Sequence, residues 1–568
     1  MLRALMSDEL NKPAPPQEPS GLHRTSSFGF GSGSGRSVEA GVAVFLTAVI
    51  VFLHITRAAS GGGLWRDEAA TAHLASAFSV QYVISQAQFE VFPLLLPAAL
   101  HAYGWIAGAS DAALRVFGTL VGVSIVGALW LNMAFVRRGV PLLGLALLGF
   151  NGDFIQWGDA IRGYGLGILF ILLAMGLMWR VVERPSAWRI GAALLAAIAS
   201  VQTLFGNAVL LLAIGCGLAA VALRRGRQRE AGLVLLVGLA AALSLLAYWT
   251  PLHLLRDCDV VTRTPTSIVG HYGFLDRNLS AAGAWGGLVW PSVVLAALVL
   301  SGVGQFKSNP LVRMELDRDA LLFSGLALAG GVAGTFCFLE TSGYAGAPWY
   351  FLGLIGLAAV LLDFVFDTLR AYAWARNVRL ALVLLTAGAA VLPAWQQVQV
   401  RQTNLDLVAA RLSREAGKED LVVVDPFYLG ISFGRYYHGP ARWLTVPPIP
   451  AHEVYRIDLI KAEMIRADQD QVTKPVRDRI GDTLSRGHRV WVVGWGWYPP
   501  VTEAPPPLPQ APNSATRWDN GAYLITWSQQ VTAFLLTHAK RMEDVPIPSD
   551  HPVNWLENVS LAVFEGER

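Results

Sequence analysis

The chain has 568 residues, 54% of them hydrophobic and only 15% charged, where a soluble domain carries roughly 25%. Mean hydropathy is +0.44, and apolar runs recur at bilayer-spanning length, which excludes a soluble globular enzyme and points to a polytopic membrane protein. The formal net charge of +3 is uninformative as a total; the placement of the positive charges is what matters, and no nucleic-acid partner is expected.

Residues 1–37 hold Pro-Ala-Pro-Pro and a Gly/Ser tract, the composition of a disordered cytoplasmic tail. An apolar run over 39–57 lies too far in for a typical signal peptide and reads as a retained first span. An outer loop, 58–113, follows and opens with Leu64-Trp65-Arg66-Asp67-Glu68. Two adjacent carboxylates at the edge of a span are costly unless they have a task. They open a predicted helix, Ala69 to Phe78, so one reading is N-terminal capping and a favourable dipole interaction. The other is a general base at the membrane surface. The segment Phe92 to Ile106 is apolar but short, and suits either a span or a helix on the membrane surface.

Further spans are predicted at 114–136, 140–157, 164–182, 189–205, 207–223, 231–250, 285–304, 319–340, 349–366 and 379–396. If 92–106 does not cross, Arg137, Arg138, Arg184, Arg189, Arg224, Arg225, Arg227, Arg229, Lys307, Arg313, Arg376 and Arg379 all fall on one side. The positive-inside rule then gives eleven spans, with the N-terminus cytoplasmic and the C-terminus outside. The cysteines Cys216, Cys258 and Cys337 show no zinc spacing. A bridge between Cys258 and Cys337 needs both in an oxidising compartment.

Beyond the spans (38–396) the composition turns polar and Pro-rich, so 397–568 is expected to be an extracytoplasmic α/β domain. Asp420-Leu421-Val422-Val423-Val424-Asp425 and Arg489-Val490-Trp491-Val492-Val493-Gly494 read as strands, with helix over 452–487 between them. Tyr428, Tyr437, Trp443, Trp495 and Trp497 are as compatible with core as with sugar platforms. No glycine-rich phosphate fingerprint is present.

Three more clusters share the outer side in this topology: Glu90-Val91-Phe92-Pro93-Leu94, Gly108 to Arg115, and Asp159 to Leu166 with Arg162 and Tyr164. Snorkelling to headgroups is the plain alternative for Arg162, a solvated loop for Asp153 and Asp159, and an ordinary loop histidine for His271.

The order of these motifs resembles the GT-C integral-membrane glycosyltransferases, among them protein O-mannosyltransferases, lipid A aminoarabinose transferases and polyprenyl-phosphate-sugar-dependent enzymes. W-x-D-E follows the first span, then an acidic-x-x-P-L element, G-x-S-x-x-x-x-R, and R-x-Y-x-L after the third span. The resemblance covers about 38–220. It is thinner later, at Pro348-Trp349-Tyr350-Phe351-Leu352, the strand ending in Asp425-Pro426, and Tyr436-Tyr437. It implies that Asp67 is the general base and that Glu68 orients it or binds the acceptor. It further implies substrate-binding roles for Glu90, Asp159, Arg162 and Tyr164, with Arg162 facing the donor phosphate. Val91-Phe92 stands where many members carry a histidine or lysine.

The chemistry is self-consistent. A carboxylate near a hydroxyl acceptor makes it a better nucleophile, a single displacement inverts the anomeric carbon, and the leaving phosphate needs a cation. Arg256, Arg263, His271 and Arg277 in loop 251–284 are secondary candidates for that cation. No cofactor is expected; Asp67 and Asp159 could ligate a divalent metal, although nothing in their spacing requires one. The implied partners are a polyprenyl-phosphate sugar donor, membrane lipids, and a glycan, lipid or protein acceptor, with the chain in a bacterial inner membrane. The rivals are a lipid or polysaccharide transporter, for which matching repeat halves are not evident, and a non-catalytic glycolipid binder.

Overall fold

A computed structural model of the chain describes residues 34–136, 138–258, 267–305, 317–342, 346–494, 505–512 and 519–567, the side chains of 34–36 and 255–258 excepted. The tail before residue 34, the loop residue Arg263, and Trp495 and Trp497 lie outside these residues. So do the side chains of Arg256 and Cys258, and with them the question of a bridge to Cys337.

Among the described residues nine helices are long and apolar enough to cross a membrane: Ser37–Ser60, Asp111–Phe135, Gly163–Glu183, Asn207–Arg224, Gln228–Leu254, Gly286–Val303, Arg318–Ser342, Pro348–Asp367 and Ala373–Val398. The protein is a polytopic helical membrane protein carrying a C-terminal α/β domain. Pro348–Asp367 is the most enclosed of the nine and Gly286–Val303 the least. That ranking explains why the former is apolar on every side.

Two of the eleven expected spans are not among the nine. The first, 140–157, is broken into Leu142–Gly144, a π-helical turn Leu145–Gly149, and Gly152–Gly158. Asn151 causes the restart, because its side-chain oxygen accepts from Phe154 N at 3.0 Å and caps the second piece. The second, 189–205, is a helix of 15 residues, Ala187–Val201. The broken segment leads from one end of the bundle to the other. Arg138, just before the broken segment, pairs with Asp317 at 2.5 Å, while Asp159, just after it, meets His54 near the other end of the first helix. The segment at 92–106 forms Leu95–Ala107, 13 residues, or about 20 Å, short of the bilayer core of about 30 Å.

In the C-terminal domain, β1 (Leu421–Asp425), β2 (Arg442–Thr445), β3 (Val490–Gly494), β4 (Ala539–Asp544) and β5 (Ser560–Glu567) form one sheet in the order β2-β1-β3-β5-β4. β1 is parallel to both neighbours, and β5 is antiparallel to β3 and β4. The unbroken Leu-Val-Val-Val run has a physical cause. Val422 and Val424 pack on one face with Leu405, Leu412 and Phe433, Leu421 and Val423 on the other with Ile480, Leu484 and Trp527. A strand covered on both faces has no polar side to show. The helix expected over 452–487 is two helices, Ile457–Met464 and Asp470–Ser485. Gln469 ends the first, its side-chain amide donating to the carbonyls of Glu463, Met464 and Arg466 at 2.9–3.0 Å.

Candidate functional site

The acidic pair sits where the first helix hands over to the helix Arg66–Ser76, and its two members have different surroundings. Glu68 is wholly buried. Arg115 grips both its oxygens, at 2.7 and 2.9 Å, Ile161 N donates at 2.9 Å, and Trp65 N donates at 3.4 Å. Arg115 also donates to the carbonyl of Gly63 at 2.7 Å. Glu68 therefore ties the start of one span, the first loop and the loop before Gly163–Glu183 together, and it presents no face to a substrate.

Asp67 is different. Its side chain keeps about 33% of its surface open, with Arg162 at 3.6 Å and Arg66 at 3.3 Å. Arg162 is nearly buried and holds Glu90 at 2.7 Å, the Asp67 carbonyl at 3.1 Å and Thr71 Oγ1 at 3.2 Å. Burial disfavours the charged guanidinium, but Asp67 and Glu90 reverse this and hold it firmly protonated. Phe92 lies under the guanidinium at 4.1 Å. Between Glu90 and Phe92 the backbone of Val91 has φ +53, a left-handed conformation that a β-branched residue resists. That turn lets residues on both sides of it reach Arg162.

Asp67, Glu90 and Arg162 are thus brought together. Asp159 is not part of that contact. Both of its oxygens lie 2.8 Å from Nδ1 of His54, and Gly118 and Gly122 are glycines because any Cβ there would collide with Asp159. Burial pushes the Asp159 carboxyl up, with His54 opposing. Asp159 is engaged by His54. No group of three or more His, Cys, Asp or Glu among the described residues could hold a metal ion.

Tyr164 packs edge-on against Phe92 at 5.6 Å and near Tyr350 at 6.5 Å. Trp349 sits 4.3 Å from Trp157, which meets Trp65 at 5.6 Å. The late Pro-Trp-Tyr-Phe element thereby joins the early motifs in one aromatic floor. His271 is buried on Ile268–Ser280, 3.7 Å from Glu340, and Arg277 from the same helix covers Phe274.

The C-terminal domain docks on this cluster. Tyr455 N donates to Glu90 at 3.4 Å, and Arg435 and Tyr436 hold Asp111 at 2.6 and 2.5 Å. Leu64 N donates to the Tyr436 hydroxyl at 2.5 Å, and Arg66 N donates to Glu557 at 2.8 Å. Among the participants that went unread in the sequence are His54, Glu557 and Arg66. A histidine inside an apolar span was the available signal for the first. Glu557 lies in a segment with no motif, and Arg66 stood in the unspecified position of W-x-D-E. Arg66 spreads over Tyr428 at 4.6 Å and borders a cleft of about 460 Å³ with Asp425, Tyr455, Ser528 and Trp555.

No protein-family model matches the chain, and no curated protein does. Among solved structures, the chain is similar to ArnT from Cupriavidus metallidurans in the apo state, at 12% identity and TM-score 0.48, over 80% of this chain and 93% of that one. The same protein bound to undecaprenyl phosphate gives 14% identity and TM-score 0.46 over the same shares. Likeness at this level bears on neither activity nor substrate.

Proposed function

We propose that the protein is an inverting membrane glycosyltransferase that moves a sugar from a polyprenyl-phosphate carrier to an acceptor hydroxyl outside the cytoplasm. The observation that carries this reading is the split within the acidic pair. Glu68 is saturated and buried, whereas Asp67 is open on one side and steadied on the other by Arg162 and Arg66. An open carboxylate fixed in direction is what a general base needs. In the step, the acceptor oxygen forms a bond to the anomeric carbon as its proton passes to Asp67. The bond from that carbon to the carrier phosphate breaks, and the phosphate leaves with the electron pair. Arg162 acts chiefly by positioning Asp67, since Glu90 already occupies it. Arg66, 3.3 Å from Asp67 on its other side, is the second cation that fixes the direction of that carboxylate. The spans supply the groove for the lipid tail, in a multi-pass topology of eleven passes with the N-terminus cytoplasmic and the 397–568 domain outside.

The test is transfer by the purified full chain in nanodiscs, supplied with polyprenyl-phosphate hexoses and pentoses and a cell-envelope extract. The expected result is labelled product whose anomeric configuration, read by NMR, is opposite to that of the donor. A second reading, a non-catalytic glycolipid binder, is favoured by the full occupation of Arg162 by Glu90 and Asp67. Retention of the lipid-linked sugar with no transfer from any donor would support that reading against the first.

A further inference from the structure

The cleft beside Arg66 has features that the transfer step does not use. Asp425 is the last residue of β1, paired in register with Gly494, the last residue of β3. The chain leaves β1 through the helix Leu429–Tyr436 to reach β2 on one side, then returns past β1 to place β3 on the other. Strand order reverses between β1 and β3, and in α/β sheets the crevice beyond the carboxyl ends of such strands is where ligands bind. Asp425 lines the cleft at that point. Among the described residues its carboxylate takes one hydrogen bond, from Ser528 Oγ at 2.5 Å. Burial pushes this carboxyl up to about 7, the cost of a polar group short of partners in the unliganded protein.

The surroundings define the ligand. Tyr428 and Tyr455 stack at 6.2 Å with their planes 30° apart, and Trp555 stands at the rim with 81% of its surface exposed. Arg66 is the cation in the cleft, and Asp67 and Glu557 both raise its affinity for its proton, against burial. A guanidinium engaged by Asp67 at 3.3 Å, lying over the Tyr428 ring at 4.6 Å and lining the same cleft as Asp425, does not favour an anion. Aromatic side chains and a carboxylate lining one cleft suit a ring that has apolar C–H faces and vicinal hydroxyl donors.

We infer that this cleft, between the C-terminal domain and the first outer loop, binds a neutral saccharide, the sugar end of the acceptor. As an acceptor subsite it rests on the transferase reading; as a sugar site it stands without it. Asp425 accepts from two ring hydroxyls, Trp555 covers a sugar face, and Arg66 links the bound ring to Asp67, 3.3 Å from its guanidinium.

The experiment is saturation-transfer NMR on the full chain in nanodiscs, with maltotriose, cellotriose and mannotriose as probes and inorganic phosphate as competitor. At least one trisaccharide is expected to receive saturation at its ring protons, unaffected by phosphate. Asp425→Asn is expected to weaken that binding roughly tenfold, as loss of a hydrogen bond to a charged group does. Trp555→Ala, at a position exposed enough to leave folding untouched, is expected to weaken it too. No saturation of any probe, equal saturation in both variants, or displacement by phosphate overturns the inference. Asp67→Asn separates the two readings: it should keep sugar binding while transfer stops. Transfer that persists in Asp67→Asn counts against the base and leaves the sugar site standing.

Discussion

Asp67 and Glu68 are neighbours in the sequence, and burial divides them. The adjacent carboxylates, their place after a span, and the order of Glu90 and Arg162 behind them were legible in the residues. Which carboxylate stays open was not, because it depends on Arg115, 47 positions away, and on Ile161. The same limit hid Asp159's partner, since nothing in the local sequence says that His54, 105 positions away, aims at it. At this scale Asp425 and Glu557 give a pH prediction. Burial raises both carboxyls to about 7 from reference values of 3.8 and 4.5, so the folded chain binds these protons more tightly than the unfolded one. Their contribution to stability is full below the unfolded values and is lost as pH rises through 7. The melting midpoint of the C-terminal domain should therefore be higher near about pH 5 than near about pH 8, and Asp425→Asn should narrow the gap. A midpoint that rises across that window, or a gap unchanged in the variant, contradicts the assignment.

Elements were legible where one periodicity held. The long spans and strands β1 and β3 followed from apolar runs, and the all-apolar β1 is explained by cover on both faces. The helix over 452–487 was overdrawn because its apolar pattern continues across a break made by one side chain, Gln469. β4 was missed because its Lys-Arg-Met-Glu-Asp composition is that of a charged edge strand. The turn after Val80–Glu90 is the element-level feature with a measurable cost. Val91 at φ +53 holds a conformation that costs an L-residue roughly 1–2 kcal/mol relative to glycine. Val91→Gly should therefore raise stability by about 1 kcal/mol, part of the gain being lost to glycine's freedom in the unfolded chain. Thermal unfolding of the solubilised protein checks this, and a clear loss of stability would mean that the Val91 side chain matters more than its backbone.

At the scale of the molecule, positive charge gathers at the bundle end that carries Arg138, Arg184 and Arg224, and the C-terminal domain docks at the other. The charge pattern in the sequence was enough to propose an orientation. The way the domain seals the loop after the first span, through Tyr436, Glu557 and Tyr455, was not readable, because each contact joins segments hundreds of residues apart. The orientation is open to direct test in a background without native cysteines. Asp550→Cys, on the domain, should react with a membrane-impermeant maleimide in intact cells, and Arg229→Cys only after lysis; the reverse pattern would invert the topology. The central claim is that Asp67 reacts while Glu68 holds the site together. It is tested most directly by measuring turnover per folded molecule, beside the melting midpoint, in Asp67→Asn and Glu68→Gln. Asp67→Asn should lose roughly 10²–10⁴-fold in transfer rate with its midpoint unchanged. Glu68→Gln, which strips the charge from a buried ion pair worth about 3–5 kcal/mol to break, should lose its midpoint first. Turnover retained in Asp67→Asn, with the loss falling on folded Glu68→Gln instead, would contradict the account.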